Sequence, residues 1–199
     1  DPNLGIIYTG MILAYYILID DSNYVKVTLF GSGNKQWINY ILYGGVSYLI
    51  FYFTTPILYS TLFPQVNAII SIDTLNQQLL QAALTTSETI RNIAYILLIP
   101  TIESMLFFGG FPQFYARMIK TDFTLDYKNP KTYLVILLAA TAFTLFHITA
   151  KGINNWQALF VSFMFALTSM IVILITKRTI DAVLLHMINN AHALGVLSR

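Results

Sequence analysis

Apolar residues along this chain fall in long runs rather than in alternation. Six runs can be marked: Leu4–Ile19, Trp37–Phe63, Ile93–Met118, Tyr133–Ile148, Trp156–Thr176 and Ile180–Leu197. A helix that crosses roughly 30 Å of hydrocarbon needs about 20 mostly apolar residues. The second, third and fifth runs reach that length. The first is marginal, and the fourth and sixth need tilt or a little flanking chain. The two-residue alternation of a membrane β-barrel strand is absent. The pattern predicts an all-α, polytopic membrane helix bundle with about six transmembrane helices.

The longest polar connection is Pro64 to Asn92. Within it, Leu75 to Leu84 sets apolar residues at helical spacing beside Asn76, Gln77, Gln78 and Gln81. That arrangement predicts a short amphipathic helix lying on the membrane surface. No internal repeat or low-complexity tract interrupts the chain.

Composition strengthens the membrane reading. Of the 199 residues, 56% are hydrophobic and only 10% charged, against about a quarter charged in a soluble domain. The formal net charge of +2 gives no argument for nucleic acid. The chain has no cysteine, which excludes disulfides, thiolate nucleophiles and cysteine metal sites. The positions of the basic residues carry more information. Loops one, three and five, with the run ends beside them, hold Lys26, Lys35, Arg117, Lys120, Lys128, Lys131, Lys177 and Arg178; the other side holds Arg91, Lys151 and Arg199. That bias predicts cytoplasmic odd-numbered loops and both termini outside. Trp37 and Trp156 open their runs, where an amphipathic ring favours the interface.

A charge within hydrocarbon costs roughly 2.5–3.5 kcal/mol on insertion scales, so ionisable residues inside the runs are the first candidates for function. Away from the run ends, where Arg117 and Asp181 are expected to reach water, they are Glu103, His147, His186 and His192. His186 and Asn190 are four apart and share a helix face, whereas His192 points elsewhere. Phe143 lies one turn before His147. Pro100 precedes Glu103 by three residues and is expected to kink its run or free backbone carbonyls beside the carboxylate. Each residue also has a plain structural reading: a buried acid for Glu103, interhelical hydrogen bonding for His186 with Asn190, an interfacial side chain for His147. His192 is expected to be structural. Gly44-Gly45 and Gly109-Gly110 are expected to mark close helix contacts.

Pro100-Thr101-Ile102-Glu103-Ser104-Met105-Leu106-Phe107-Phe108-Gly109 resembles the first motif of the CPBP family. These are the CAAX-protease and bacteriocin-processing membrane enzymes, also called Abi proteins, whose first motif reads Glu-Glu-x-x-x-Arg. Phe143-x-x-x-His147 is similar to the family's second motif and His186-x-x-x-Asn190 to its third. The likeness runs from about Leu98 to Leu197. It divides the chain into N-terminal membrane helices with the polar connection (1–97) and a CPBP/Abi-like membrane core (98–199). Two positions depart from the motif: its second Glu is Ser104 here and its Arg is Phe108. They are four apart, the spacing of a helical ion pair. Losing both leaves no orphan, whereas losing one alone costs roughly 3–5 kcal/mol.

The resemblance implies an intramembrane endopeptidase with Glu103, His147, His186 and Asn190 as catalytic residues. Glu103 would take a proton from water, His147 would hold that water, and His186 with Asn190 would donate to the oxyanion. The substrate would be a membrane-associated or lipidated peptide. The alternative is a catalytically inactive CPBP-like subunit that scaffolds a membrane complex with stoichiometric partners. A three-ligand metal hydrolase, a haem site and a solute transporter rank below both. No cofactor or metal is expected; the expected surroundings are the lipid bilayer of the cell membrane. One tension stands against the shared site. Counting about 1.5 Å per residue from the cytoplasmic run ends puts Glu103 and His147 about 20 Å deep and His186 about 10 Å, unless tilt, the Pro100 break or an inverted orientation brings them together.

Overall fold

The computed structural model describes residues 7, 10–13, 37–64, 88–120 and 126–196, and among these no strand occurs. Among the described residues, five helices carry the fold. They are α1 (Trp37–Leu62), α2 (a continuous run from Glu88 to Met118), α3 (Pro130–Lys151), α4 (Trp156–Thr176) and α5 (Thr179–Ala193). The first four contain segments long and apolar enough to cross a membrane: Ile38–Leu62, Ala94–Met118, Pro130–Ile148 and Trp156–Thr176. The sixth apolar run gives the shorter α5. The first run lies mostly outside the described residues, as does the expected amphipathic helix at Leu75–Leu84.

The inside of α1 shows why this is a membrane fold. It hides Gly44, Ser47, Tyr48, Phe51, Thr55 and Tyr59, a stripe at three- and four-residue steps, and exposes Ile41, Leu49, Ile50, Phe53 and Ile57. Small and hydroxyl-bearing residues face the protein while large aliphatic ones face outward, the reverse of a soluble helix. Gly44 is needed at one point of contact. A Cβ there would stand 2.8 Å from the Leu184 Cβ and 3.4 Å from the Asp181 carbonyl oxygen, so α1 and α5 approach backbone to backbone. Gly45 has nothing within 4 Å of the equivalent position.

Two prolines reshape α2. A π-turn at Ala94–Leu98 ends just before Pro100, and a second at Met105–Gly110 ends just before Pro112. Proline has no N–H and its ring collides with the carbonyl four residues back, so widening the preceding turn is the way to continue the helix through it. Glu103 sits in the α-helical segment Ile99–Ser104 between the two π-turns.

α5 packs against α1, α4 and the π-interrupted half of α2, while α3 packs along α4 and the last turns of α2. Neighbours therefore cover α5, which lets it carry Asp181, His186, Asn190 and His192 in fifteen residues. At one end of the bundle the Lys131 ammonium donates to the Ile119 and Lys120 carbonyls, joining the start of α3 to the end of α2. At the other end, Trp156 stacks on Tyr59, with ring centroids 5.4 Å apart.

Candidate functional site

α2 and α5 bring a carboxylate and an imidazole together. Glu103 Oε2 stands 3.7 Å from His186 Nε2, and both residues are buried, at 5% exposure each. That distance suits an ion pair and is too long for a hydrogen bond. The next residue on α2, Ser104, is wholly buried, and its hydroxyl meets His186 Nδ1 at 3.1 Å. With Nε2 carrying the proton on the carboxylate side, Nδ1 accepts from the Ser104 hydroxyl, which fixes the ring. Ser104, a departure from the family motif, thus orients the histidine of the third motif.

The depth difference expected between Glu103 and His186 does not hold. Counting from the ends treated every run as straight α-helix from a common level. The 3.7 Å contact shows that α2 and α5 do not start from that common level; of the two π-turns in α2, only Met105–Gly110 lies between Glu103 and the Met118 end. The break expected at Pro100 is present as the first of them.

His147 comes from α3. Its Nδ1 donates to the Phe143 carbonyl at 2.8 Å, one turn back, so Nε2 is left as the acceptor in the neutral ring. The Phe143 ring lies 4.2 Å from His147 and 6.0 Å from His186, centroid to centroid, so both imidazoles border one phenyl ring. Phe165 of α4 packs on His186 at 4.8 Å and on Phe143 at 5.7 Å, so the three rings form one cluster. Phe108, fully buried where the motif has Arg, packs on Phe143 at 5.2 Å and Phe165 at 6.3 Å. Aromatic contacts replace a buried ion pair and leave no charge alone.

Lys151, the last residue of α3, belongs by the charge pattern to the basic residues outside the runs. It lies one turn past His147 and turns inward. Its ammonium donates to the Ser162 hydroxyl at 2.6 Å and the Ala158 carbonyl at 3.4 Å, both on α4. It lies beyond the apolar span that ends at Ile148. Burial pulls its ammonium down to about 8, while the Glu103 carboxylate acts in the opposite sense. The four-residue step from His147 was the signal available in the sequence.

Asn190 lies one turn beyond His186 on α5. Its Nδ2 donates to the Tyr95 carbonyl at 2.8 Å. Pro100 accounts for this contact. In the first π-turn the Ile99 N–H, the normal partner of Tyr95, goes instead to Ala94. The next donor in line would belong to Pro100, which has none. Asn190 supplies the missing donor. His192 faces α1, where its Nδ1 hydrogen-bonds the Tyr48 hydroxyl and its ring also meets Tyr52 at 5.4 Å. Asp181, expected to reach water, is fully buried. Its Oδ2 accepts from Arg178 Nε at 2.8 Å, and the Arg178 guanidinium lies over the Tyr40 ring at 4.5 Å. The shortness of α5 and its cover by α1 take this residue out of solvent. Among the described residues no group of three His, Asp or Glu side chains is placed to hold a metal ion.

The family model described as Type II CAAX prenyl endopeptidase Rce1-like matches residues 85–192, more than half of the chain. The chain belongs to that family. No curated protein and no solved structure matches it. The matched stretch starts ahead of Glu103 and takes in all three motifs, so the CPBP resemblance is borne out. The Rce1-like match together with the apolar helices establishes a membrane protein with a CAAX-protease-like endopeptidase fold.

Proposed function

We propose that this chain is an intramembrane endopeptidase that hydrolyses a peptide bond of a membrane-associated or lipidated substrate, with Glu103 activating the water. The observation that carries the reading is the buried Glu103 carboxylate facing His186 Nε2, with His147 against the same Phe143 ring. Glu103 takes a proton from water and delivers it to the leaving amine. His147, with Nδ1 engaged by its own helix, offers Nε2 to accept one O–H of that water. The Nε2–H of His186 donates to the developing oxyanion, a contact worth typically about 10²–10³ in rate. Asn190 has one amide N–H on the Tyr95 carbonyl. It thereby holds the π-turn ahead of Glu103 against α5, and its other N–H remains for the oxyanion.

One observation favours a second reading, a catalytically silent subunit in a membrane complex. Ser104 and Phe108 are fully accommodated, one on His186 and the other among aromatic rings, so the bundle is complete without the motif's second acid and arginine. Reconstitution in lipid nanodiscs separates the two. The probe is a fluorescence-quenched peptide ending in an S-farnesyl-cysteine CAAX-type tripeptide, beside the same peptide without the prenyl group. Cleavage of the prenylated probe ahead of the plain one supports the protease. Isolation only with stoichiometric partner subunits, and no cleavage of either probe, supports the scaffold.

A further inference from the structure

The hydrolytic scheme leaves Lys151 without a part, although its surroundings are unusual for a helix-end lysine. An ammonium turned into a bundle loses several kcal/mol of hydration, in round terms, unless partners and an opposite charge replace it. Ser162 and the Ala158 carbonyl are its hydrogen-bond partners on α4. Neither is charged. Among the described residues, the opposite charge that acts on it is Glu103.

The geometry of α4 fixes where the ammonium stands. Ser162, which anchors it, is three residues before Phe165, which packs on His186 at 4.8 Å. The two lie on one face of α4, one turn apart. Lys151 is thus placed one turn along α4 from the imidazole that the Glu103 carboxylate faces. On α3, His147 lies one turn before it on the same face. Among the described residues, the groups able to titrate around Glu103 come from α5 (His186) and α3 (His147 and Lys151). α4 has none, and α1 has only tyrosines. Both histidines are held neutral in the scheme above, with one ring nitrogen accepting. The only fixed cation in this set is Lys151.

The family motif places an arginine one turn after its second acid, and here Phe108 fills that position within an aromatic cluster. We infer that Lys151 is the positioning cation of this site, supplying from the end of α3 the positive charge that the first motif lacks at Phe108 and keeping the Glu103 carboxylate ionised. The inference rests on Glu103 as the base of the proposed reaction, but its test needs no turnover.

The full-length protein in detergent micelles is titrated by infrared difference spectroscopy. The carboxyl band of Glu103 is identified by its loss in Glu103→Gln. In Lys151→Gln, which keeps a hydrogen-bonding group for Ser162, the midpoint at which that band changes from carboxylate to carboxylic acid moves up by about one to three pH units. Lys151→Met gives the same shift and serves if the Gln variant loses its helical circular dichroism. Lys151→Arg keeps the wild-type midpoint. An unmoved midpoint in the uncharged variants overturns the inference, as does an equal shift in Lys151→Arg, which would show that packing and not charge is responsible. A protein that cleaves no probe yet shows the shift would sink the protease reading alone.

Discussion

The side chain of Asn190 stands in for the N–H that Pro100 lacks. Its Nδ2 meets the Tyr95 carbonyl at 2.8 Å, at the point where the π-turn has diverted the Ile99 N–H to Ala94. A motif residue of α5 is therefore tied to a proline of α2, and the two hold the segment that carries Glu103. Removing the amide with Asn190→Ala is expected to leave a carbonyl without a donor and to destabilise the protein by about 1–3 kcal/mol. Pro100→Ala, which returns a backbone N–H to that carbonyl, should recover part of the loss when combined with it. Thermal unfolding of the two single variants and the double variant in detergent checks this. Simple additivity would show that the contact does not serve the break.

The α1–α5 contact rests on the absence of a side chain at Gly44. Gly44→Ala places a methyl group 2.8 Å from the Leu184 Cβ, so the helices must separate. Overpacking of this kind costs about 1–3 kcal/mol. Gly45→Ala, with nothing within 4 Å, is the matched control and should be close to neutral in the same unfolding measurement.

Ser104 and Phe108 form a consistent pair of departures, and restoring one without the other should hurt. Ser104→Glu buries a carboxylate at a position with 0% exposure. Unpaired, it is expected to lower stability by roughly 3–5 kcal/mol. Adding Phe108→Arg supplies a cation four residues along the same helix and should regain part of that loss. A double variant no better than Ser104→Glu alone would contradict this account of the motif.

Much of the fold was legible because membrane helices announce themselves by length. The run Trp156–Thr176 matches α4 residue for residue, and α1 begins at the expected Trp37. Pro100 announced a break but not its form. A π-turn keeps the helical direction, and its cause, a redistribution of N–H donors, becomes visible only when the partners of Tyr95 and Ile99 are known. Glu103, His147 and His186 came from the scarcity of ionisable groups in the runs and Asn190 from its four-residue step after His186; in the fold His147 and His186 both border the Phe143 ring, and Glu103 faces His186. Lys151 was missed because a lysine before Gly152 reads as a loop cation, and its burial depends on Ser162 of the next helix. Asp181 was misplaced for the same reason. Proximity to a run end suggested water, while the close approach of α1 at Gly44 excludes it.

The central claim is that the Glu103 carboxylate activates the hydrolytic water. The most direct measurement is the initial rate of cleavage of the farnesylated probe by Glu103→Gln against wild type, at equal folded protein in nanodiscs. Loss of a general base is expected to lower that rate by about 10²–10⁴-fold while the variant keeps wild-type helical content. A Glu103→Gln protein that cleaves the probe as fast as wild type would contradict the account.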